Sequence, residues 1–269
     1  MASKAQSVSS IPKGFHTITP YLIASDVPHL IDFITRVFDA EETQRFTGGS
    51  GGGIHAEVRV GNSMLMIGGG GPGLSWKGSS APTSFHIYVK DVDATYARAI
   101  AVGATSINEV VDQAYGERSG SVQDEAGNHW YIAYPTYLGD KYTPDAVQTV
   151  QVFLHPTKAA PVADFLTRAF GAEELGRYTS PDGVVQHTTV KIGDSTLEMA
   201  DAHGIFQPMP TTFYLYVPDP DAVYASALEA GATSLYPVAD QPYGDRNGGV
   251  KDPFGNTWYI GKRIRDAQS

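Results

Sequence analysis

The sequence contains no cysteine. That excludes disulfides, thiolate metal sites and thiol nucleophiles together, and leaves the redox compartment open. Positive charge is scarce: 19 Lys and Arg stand against 29 Asp and Glu, a formal net charge of -10. Nucleic acid and anionic membranes require clustered cations, so neither is expected as a partner. No apolar run approaches the length of a bilayer span. The opening stretch MASKAQSVSSIPKG has no apolar centre, so residues 1–14 are expected to be a disordered lead-in and not a signal peptide. The expected location is the cytoplasm. The glycine clusters at 48–53 and 68–73 lack the Gly-Lys-Ser/Thr ending of a phosphate loop, and no serine sits in a Gly-x-Ser-x-Gly elbow. Those clusters read as mobile flaps or flexible connectors.

What the chain does contain is itself, twice. The segment 113–132, QAYGERSGSVQDEAGNHWYI, matches 241–260, QPYGDRNGGVKDPFGNTWYI, at 12 of 20 positions without gaps. Upstream, DFITRVFDAEETQRF (32–46) and DFLTRAFGAEELGRY (164–178) agree at 9 of 15. Asp32 and Asp164 are 132 residues apart and Gln113 and Gln241 128 apart, so one copy differs by four residues in length. The difference falls between 68–82 and 201–210, both loop-like in composition. With 269 residues, 42% of them hydrophobic, the chain has material for two domains or one built from two halves. The expected division is a first domain at 15–134, a polar linker at 135–149 and a second domain at 150–264.

Each half reads as strand, helix and three strands, repeated. In the first, 18–24 is a strand; Ser25 or Asp26 caps a helix, Pro28 suits its first turn, and Leu30, Ile31, Phe33, Ile34, Val37 and Phe38 form its buried stripe. A hairpin follows, 54–60 and 63–67, turning at Gly61-Asn62. A strand at 84–89 leads to a helix at about 91–102 that Gly103 ends. Further helices are expected near 158–170 and 219–230. The expected fold is α+β, with four βαβββ modules in two tandem domains.

Tandem modules of this kind, with His-Ala-Glu-Val-Arg-Val-Gly at 55–61 and Asp-Pro-Phe-Gly-Asn-Thr-Trp at 252–258, resemble the vicinal oxygen chelate superfamily. That group includes glyoxalase I, bleomycin-resistance proteins and extradiol dioxygenases; the resemblance is closest to its PhnB-like branch and covers 15–262. It implies curled mixed sheets with helices on the outer face, each sheet forming a cup. In metal-using members, ligands lie on the first and last strand of each module. The resemblance places these positions at Thr19, Met66, Ser84 and Tyr131 in the first half and Gln151, Glu198, Thr212 and Tyr259 in the second. Gln151 and Glu198 have suitable oxygen chemistry; Met66 and the hydroxyls do not replace imidazole or carboxylate.

Strand alternation gives the cup-facing set. Val58, Val60, Leu65 and Ile67 share the helix-packing face, so His55, Glu57, Arg59, Met64 and Met66 face the cup. Thr189, Lys191, Thr196, His187 and Glu198 are their counterparts. The same parity turns Ser84, His86, Tyr88, His129 and Tyr131 inward, with Thr212, Tyr214, Tyr216, Thr257 and Tyr259. If modules exchange between halves, one cup gathers Gln151, His187, Glu198, His86, His129 and Tyr131, and the other Thr19, His55, Glu57, Tyr214 and Tyr259. If they pair within each half, Gln151 and Glu198 keep only His187. The sequence leaves both pairings open.

The tyrosines suit a flat or apolar ligand. Glu57 beside Arg59 reads as a solvated rim pair. Burial of Glu57 or Glu198 among apolar groups would instead raise its pKa and fit it for general-base work, which makes these two the catalytic candidates. Arg118 and Arg246 are expected to tie a loop to a carboxylate, and the Asp-x-x-Gly-Asn segments to be turn chemistry. His16, His29, His155 and His203 carry no functional argument. The expected function is metal-independent binding of a small aromatic or amphipathic molecule. The alternative is a lyase, isomerase or dioxygenase using one divalent ion at Glu198, Gln151 and a nearby His. The halves are expected to form a pseudo-dimer within one chain, existing as monomer or homodimer.

Overall fold

A computed structural model describes residues 9–48, 51–141 and 147–265. Four modules of one pattern follow each other. The first is β1 (Ile18–Ala24), α1 (Val27–Phe38), β2 (Glu41–Thr47), β3 (Ile54–Val60) and β4 (Ser63–Gly69); the second is β5 (Ser84–Tyr88), α2 (Val92–Ala101), β6 (Thr105–Gln113), β7 (Glu117–Gln123) and β8 (His129–Pro135). The third is β9 (Val150–Leu154), α3 (Ala159–Phe170), β10 (Glu173–Thr179), β11 (Val185–Ile192) and β12 (Ser195–Met199). The fourth is β13 (Thr212–Tyr216), α4 (Pro220–Glu229), β14 (Thr233–Asp240), β15 (Asp245–Lys251) and β16 (Thr257–Arg263).

Three of the four helices, α1, α2 and α4, begin where the sequence supplies an oxygen acceptor. Asp26, Asp91 and Asp219 accept from the backbone N–H three residues on, satisfying a donor the helix itself leaves free. The expected α1 stripe, from Leu30 to Phe38, is buried. Strands then join across the halves. One eight-stranded sheet has the order β14-β15-β16-β13-β1-β4-β3-β2, the other β10-β11-β12-β9-β5-β8-β7-β6. In the first sheet β1 meets β13 antiparallel, Thr19 opposite Tyr214; in the second β5 meets β9, His86 opposite Gln151. Of the two pairings the sequence left open, the exchanged one is present.

The two modules of each half are bound through their other faces. Trp130 lies 4.6 Å from Phe85 and 4.9 Å from Phe38 of the preceding module, and Trp258 lies 4.2 Å from Phe213 and 4.7 Å from Phe170. Each indole N–H donates to a buried aspartate, Asp124 or Asp252, that also accepts from the N–H groups of Asn128 or Asn256. The Asp-x-x-Gly-Asn segments are thus turns that anchor the core, as their composition suggests. Arg118 on β7 and Arg246 on β15 point outward, to Asp93 and Asp112 and to Asp221 and Asp240.

The halves are also stitched by two equivalent turns. Asn62 and Ser63 accept from the N–H groups of Thr149 and Val150; Asp194 and Ser195 accept from those of Thr17 and Ile18. His16 spans both, reaching Asp194 and the Asn62 carbonyl.

Two expectations need correction. The cluster at 68–73 is not a flexible flap: Gly68 and Gly69 end β4, and Gly70 braces the entry to α1 by bonding Ala24 and Val27. Gly68 is needed there because a Cβ would stand 2.6 Å from the Tyr21 hydroxyl. Residues 9–14 of the expected lead-in are part of the fold: the Ser10 carbonyl accepts from Arg263 N–H, and Ile11 packs on the first sheet. The rest of that lead-in, residues 1–8, lies outside the described residues, as do 49–50 of the first glycine cluster and 142–146 of the expected linker.

Candidate functional site

The concave face of the second sheet carries a buried charge cluster. His86 sits on the central strand β5, with Nδ1 2.9 Å from a Glu198 oxygen and Nε2 3.5 Å from a Glu117 oxygen. All three side chains are at most 11% exposed. Burial alone would drive His86 neutral, but the two carboxylates outweigh it and raise its pKa. Burial likewise works to raise Glu198, yet His86 and His187 overcome it and hold the carboxyl below its ordinary range. The Tyr88 hydroxyl donates to the other Glu117 oxygen at 3.2 Å. His187, half-exposed, stands 3.7 Å from Glu198.

Above this floor opens a cavity of about 460 Å³. One wall is aromatic: Tyr131, Phe153, Phe206 and the ring of His155, which stacks on Phe206 at 5.1 Å. Tyr131 Oη and His155 Nε2 share a hydrogen bond of 2.9 Å. Burial, then the neighbouring His203 and His129, push the His155 pKa down to about 4, so the ring is neutral at pH 7. Its Nδ1 is buried without a partner.

The first sheet's concave face differs. Tyr214, the counterpart of His86, donates from Oη to Asp245 at 2.6 Å and accepts from Asn247 at 3.0 Å; Arg263 lies 2.7 Å from Asp245. Gly261 makes room, since a Cβ there would lie 2.6 Å from the Tyr214 hydroxyl. Tyr21 shares a hydrogen bond with His55 at 2.9 Å and meets Tyr259 edge-on. Met66, Tyr214 and Tyr216 form a cluster on which Ile11 and Phe15 pack, so the chain's own residues fill part of this cup.

The structure brings His86, Gln151, His187, Glu198 and Tyr131 onto one concave face, and Thr19, His55, Glu57, Tyr214 and Tyr259 onto the other. Within the first group, Gln151 is engaged by Thr196, which donates to its Oε1 at 2.6 Å. His129 is on the same sheet but bonded away to Gln123 at 3.2 Å. Two readings are overturned. Arg59 pairs with Glu41 across β2–β3, leaving Glu57 inside the cup 3.9 Å from His55 and not in a rim pair. Glu198 is buried, but among imidazoles and not among apolar groups, so its pKa falls where general-base work needed a rise.

Sequence reasoning passed over Glu117, Asp245 and His155. The first two directly precede Arg118 and Arg246 in the two matching segments; with those arginines facing outward, alternation turns the preceding residue inward. His155 continues the parity of Gln151 and Phe153 by one more step.

A divalent ion at the positions implied by the resemblance does not fit the residues present. In the second sheet Ser84 and Tyr131 offer hydroxyls, and burial raises the Tyr131 pKa, so the phenol is neutral. Gln151 is held by Thr196, and both ring nitrogens of His86 face carboxylates and not a shared point. In the first sheet the positions are Thr19, Met66, Thr212 and Tyr259. Among the described residues no group of three or more His, Asp or Glu is placed to hold an ion.

Comparison with solved structures finds the same architecture elsewhere. Glyoxalase I from Zea mays superposes with a TM-score of 0.68 at 14% identity, covering 91% of this chain and 92% of its own. A putative dioxygenase from Bacillus subtilis does so with a TM-score of 0.61 at 14% identity, covering 97% and 87%. These likenesses establish the fold. An uncharacterized protein of Mycobacterium bovis is 36% identical over 125 residues, 44% of this chain and 82% of the relative. No helix among the described residues is long and apolar enough to cross a membrane. The family model described as Glyoxalase/Bleomycin resistance protein/Dioxygenase superfamily matches twice, at residues 14–132 and 152–260, once in each half. The duplication seen in the residues, the exchanged sheets and this double match agree: the chain belongs to the glyoxalase/bleomycin resistance protein/dioxygenase superfamily.

Proposed function

We propose that this protein binds a small aromatic or amphipathic molecule in the cup of the second sheet without using a metal ion. The observation that carries the reading is the cavity of about 460 Å³, walled by Tyr131, Phe153 and Phe206. That size falls within the roughly 300–1,000 Å³ of small-molecule sites. An aromatic ligand gains there by removing apolar surface from water and by ring stacking. The floor supports the same reading. Glu198, Glu117 and His86 hold one another in place, so the acceptor capacity left on Glu117 is fixed in position to orient a ligand. The first cup, partly filled by Ile11 and Phe15, is the less accessible of the pair.

The alternative, a lyase, isomerase or dioxygenase with a divalent ion at Glu198, Gln151 and His86, requires breaking the His86–Glu198 contact and turning Gln151 from Thr196. Two measurements on untagged protein purified without chelator decide between them. Metal analysis is expected to give far less than one divalent ion per chain. Titration with 2-naphthylmethanol is expected to quench tyrosine and tryptophan emission saturably. Near-stoichiometric metal that disappears in Glu198→Ala would replace the binder reading with the enzyme one.

A further inference from the structure

The cavity of the second sheet has a chemical bias that its aromatic walls alone do not specify. Among the described residues no lysine or arginine lines it. Its carboxylates are Glu117, on the floor, and Glu109, on β6 at the rim, with Glu198 directly beneath His86. The His86 ring is shared between Glu117 and Glu198, so the cation on the floor is already met by two carboxylates. Glu117 keeps acceptor capacity: its contacts with His86 at 3.5 Å and Tyr88 at 3.2 Å are both long, and a carboxylate offers about four lone-pair sites.

A second, independent observation concerns His155. It is 6% exposed, lines the same cavity, and leaves Nδ1 without a partner. Because the ring is neutral, Nδ1 can accept a hydrogen bond while Nε2–H donates to Tyr131. A buried polar atom left alone is costly, and a ligand N–H that reaches it removes the cost. The faces of Tyr131, Phe153 and Phe206 add a third attraction, since aromatic rings present negative electrostatic potential to a cation above them. An anionic ligand is repelled by Glu117 and Glu109 and by the ring faces, and the His86 ring is already engaged by carboxylates.

Resting on the binding reading above, we infer that the ligand class of this cup is the flat aromatic molecule bearing a protonated amine, its ring against Phe153 and Phe206 and its ammonium toward Glu117 and His155. Uncharged aromatics of the same shape bind by the walls alone, and aromatic carboxylates bind least.

Three probes of matched shape test this by isothermal titration calorimetry on the full chain at pH 7 and low salt: 2-naphthylmethylammonium, 2-naphthylmethanol and 2-naphthoate. The ammonium is expected to bind about tenfold or more tightly than the alcohol, with naphthoate weakest. Glu117→Gln is expected to bring the ammonium to within about threefold of the alcohol, weakening the ammonium more than the alcohol. Glu109→Gln, at an exposed position that does not threaten folding, is expected to weaken the ammonium alone by about twofold. Equal binding of ammonium and alcohol, or tighter binding of naphthoate, overturns the charge inference and leaves the cup as a neutral aromatic site. Failure of all three probes to bind at millimolar concentration removes the binding reading as well.

Discussion

Replacing His86 with alanine should change how stability depends on pH, and not merely how much stability there is. In the folded protein the ring stands 2.9 Å from Glu198 and 3.5 Å from Glu117, with the three side chains 8–11% exposed. Removing one member of a buried ion pair typically costs about 3–5 kcal/mol, because the remaining charge loses its partner where water cannot replace it. Here His187, 3.7 Å from Glu198, supplies partial compensation, which puts the expected cost near the low end, about 3 kcal/mol at pH 7. At roughly 2–4 °C per kcal/mol for a chain of this size, the melting temperature should fall by about 6–12 °C.

The sign follows from the directions of the pKa shifts. Glu198 is depressed in the native state, so its contribution is present above the unfolded carboxylate value of about 4.3 and is lost as pH falls through the folded value. His86 is raised, so its contribution is complete below the unfolded value of about 6.5 and is lost as pH rises through the folded value. Without His86 the desolvation of Glu198 has only His187 against it, and the carboxyl pKa rises. The variant then regains stability on acidification by taking up a proton that the native protein refuses. Thermal melts followed by circular dichroism from pH 4 to pH 8 should show a gap that is widest near pH 5–7 and narrows toward pH 4. His86→Gln, which keeps most of the volume, should behave the same way. A gap that stays constant across the range would mean that lost packing, and not charge, sets the cost, and the electrostatic account of the floor would fail.

The core anchor should be as sensitive at Asp124 as at Asp252: Asp124→Ala strips the acceptor from the Trp130 indole and from the Asn128 N–H groups, a loss of about 3 kcal/mol readable by chemical denaturation; a cost below about 1 kcal/mol would refute the anchor. Asp194, which burial would raise but which Thr17 and His16 hold at about 2, should contribute stability above pH ~4 that is lost as pH falls toward 2; its half exposure limits this to under about 1 kcal/mol, and Asp194→Asn should flatten that acid limb in the melts or the turn does not stitch the halves as described. Deleting residues 1–15 removes Ile11 and Phe15 from the first cup, so calorimetry with 2-naphthylmethanol should show a second site in the truncated chain; an unchanged stoichiometry would mean that cup is closed by Tyr214, Tyr216 and Tyr259 themselves.

The module pattern was legible because it was written four times. Caps at Asp26 and Asp91, the α1 stripe and the Gly61-Asn62 turn are local signals, and alternation along β3 and β5 marks the cup faces in the sequence itself. The pairing of modules was not legible, because the strands at the seam, β1 with β13 and β5 with β9, carry the same apolar alternation and would match either neighbour. What selects the exchanged arrangement is non-local: Asn62 and Asp194 grip backbone about 87 and 177 residues away. Glu117 and Asp245 were missed because the adjacent arginines drew the argument to the outward face. His86 was placed correctly, but its state depends on Glu117, which no sequence spacing ties to it.

Duplication then explains why the two floors differ as they do. By the repeat offsets, His86 corresponds to Tyr214, Glu117 to Asp245, and Glu198 to Met66. Where the sheet carries Glu198, the opposite strand provides an imidazolium; where it carries Met66, a neutral phenol suffices, donating to Asp245, whose own charge Arg263 meets. The two positions are therefore coupled, since a phenol opposite Glu198 leaves that carboxylate without its nearest cation. A double-mutant cycle in the second sheet tests this. His86→Tyr alone should cost about 3 kcal/mol, leaving Glu198 with His187 only. Glu198→Met alone should cost less, because His86 keeps Glu117. The double variant should recover about 1–3 kcal/mol relative to the sum of the single costs, the coupling expected of residues in contact. Recovery should be incomplete, because position 135, the counterpart of Arg263, is proline and gives Glu117 no cation. Strict additivity would show that the floors diverged independently and that the charge pairing between β5 and β12 is incidental.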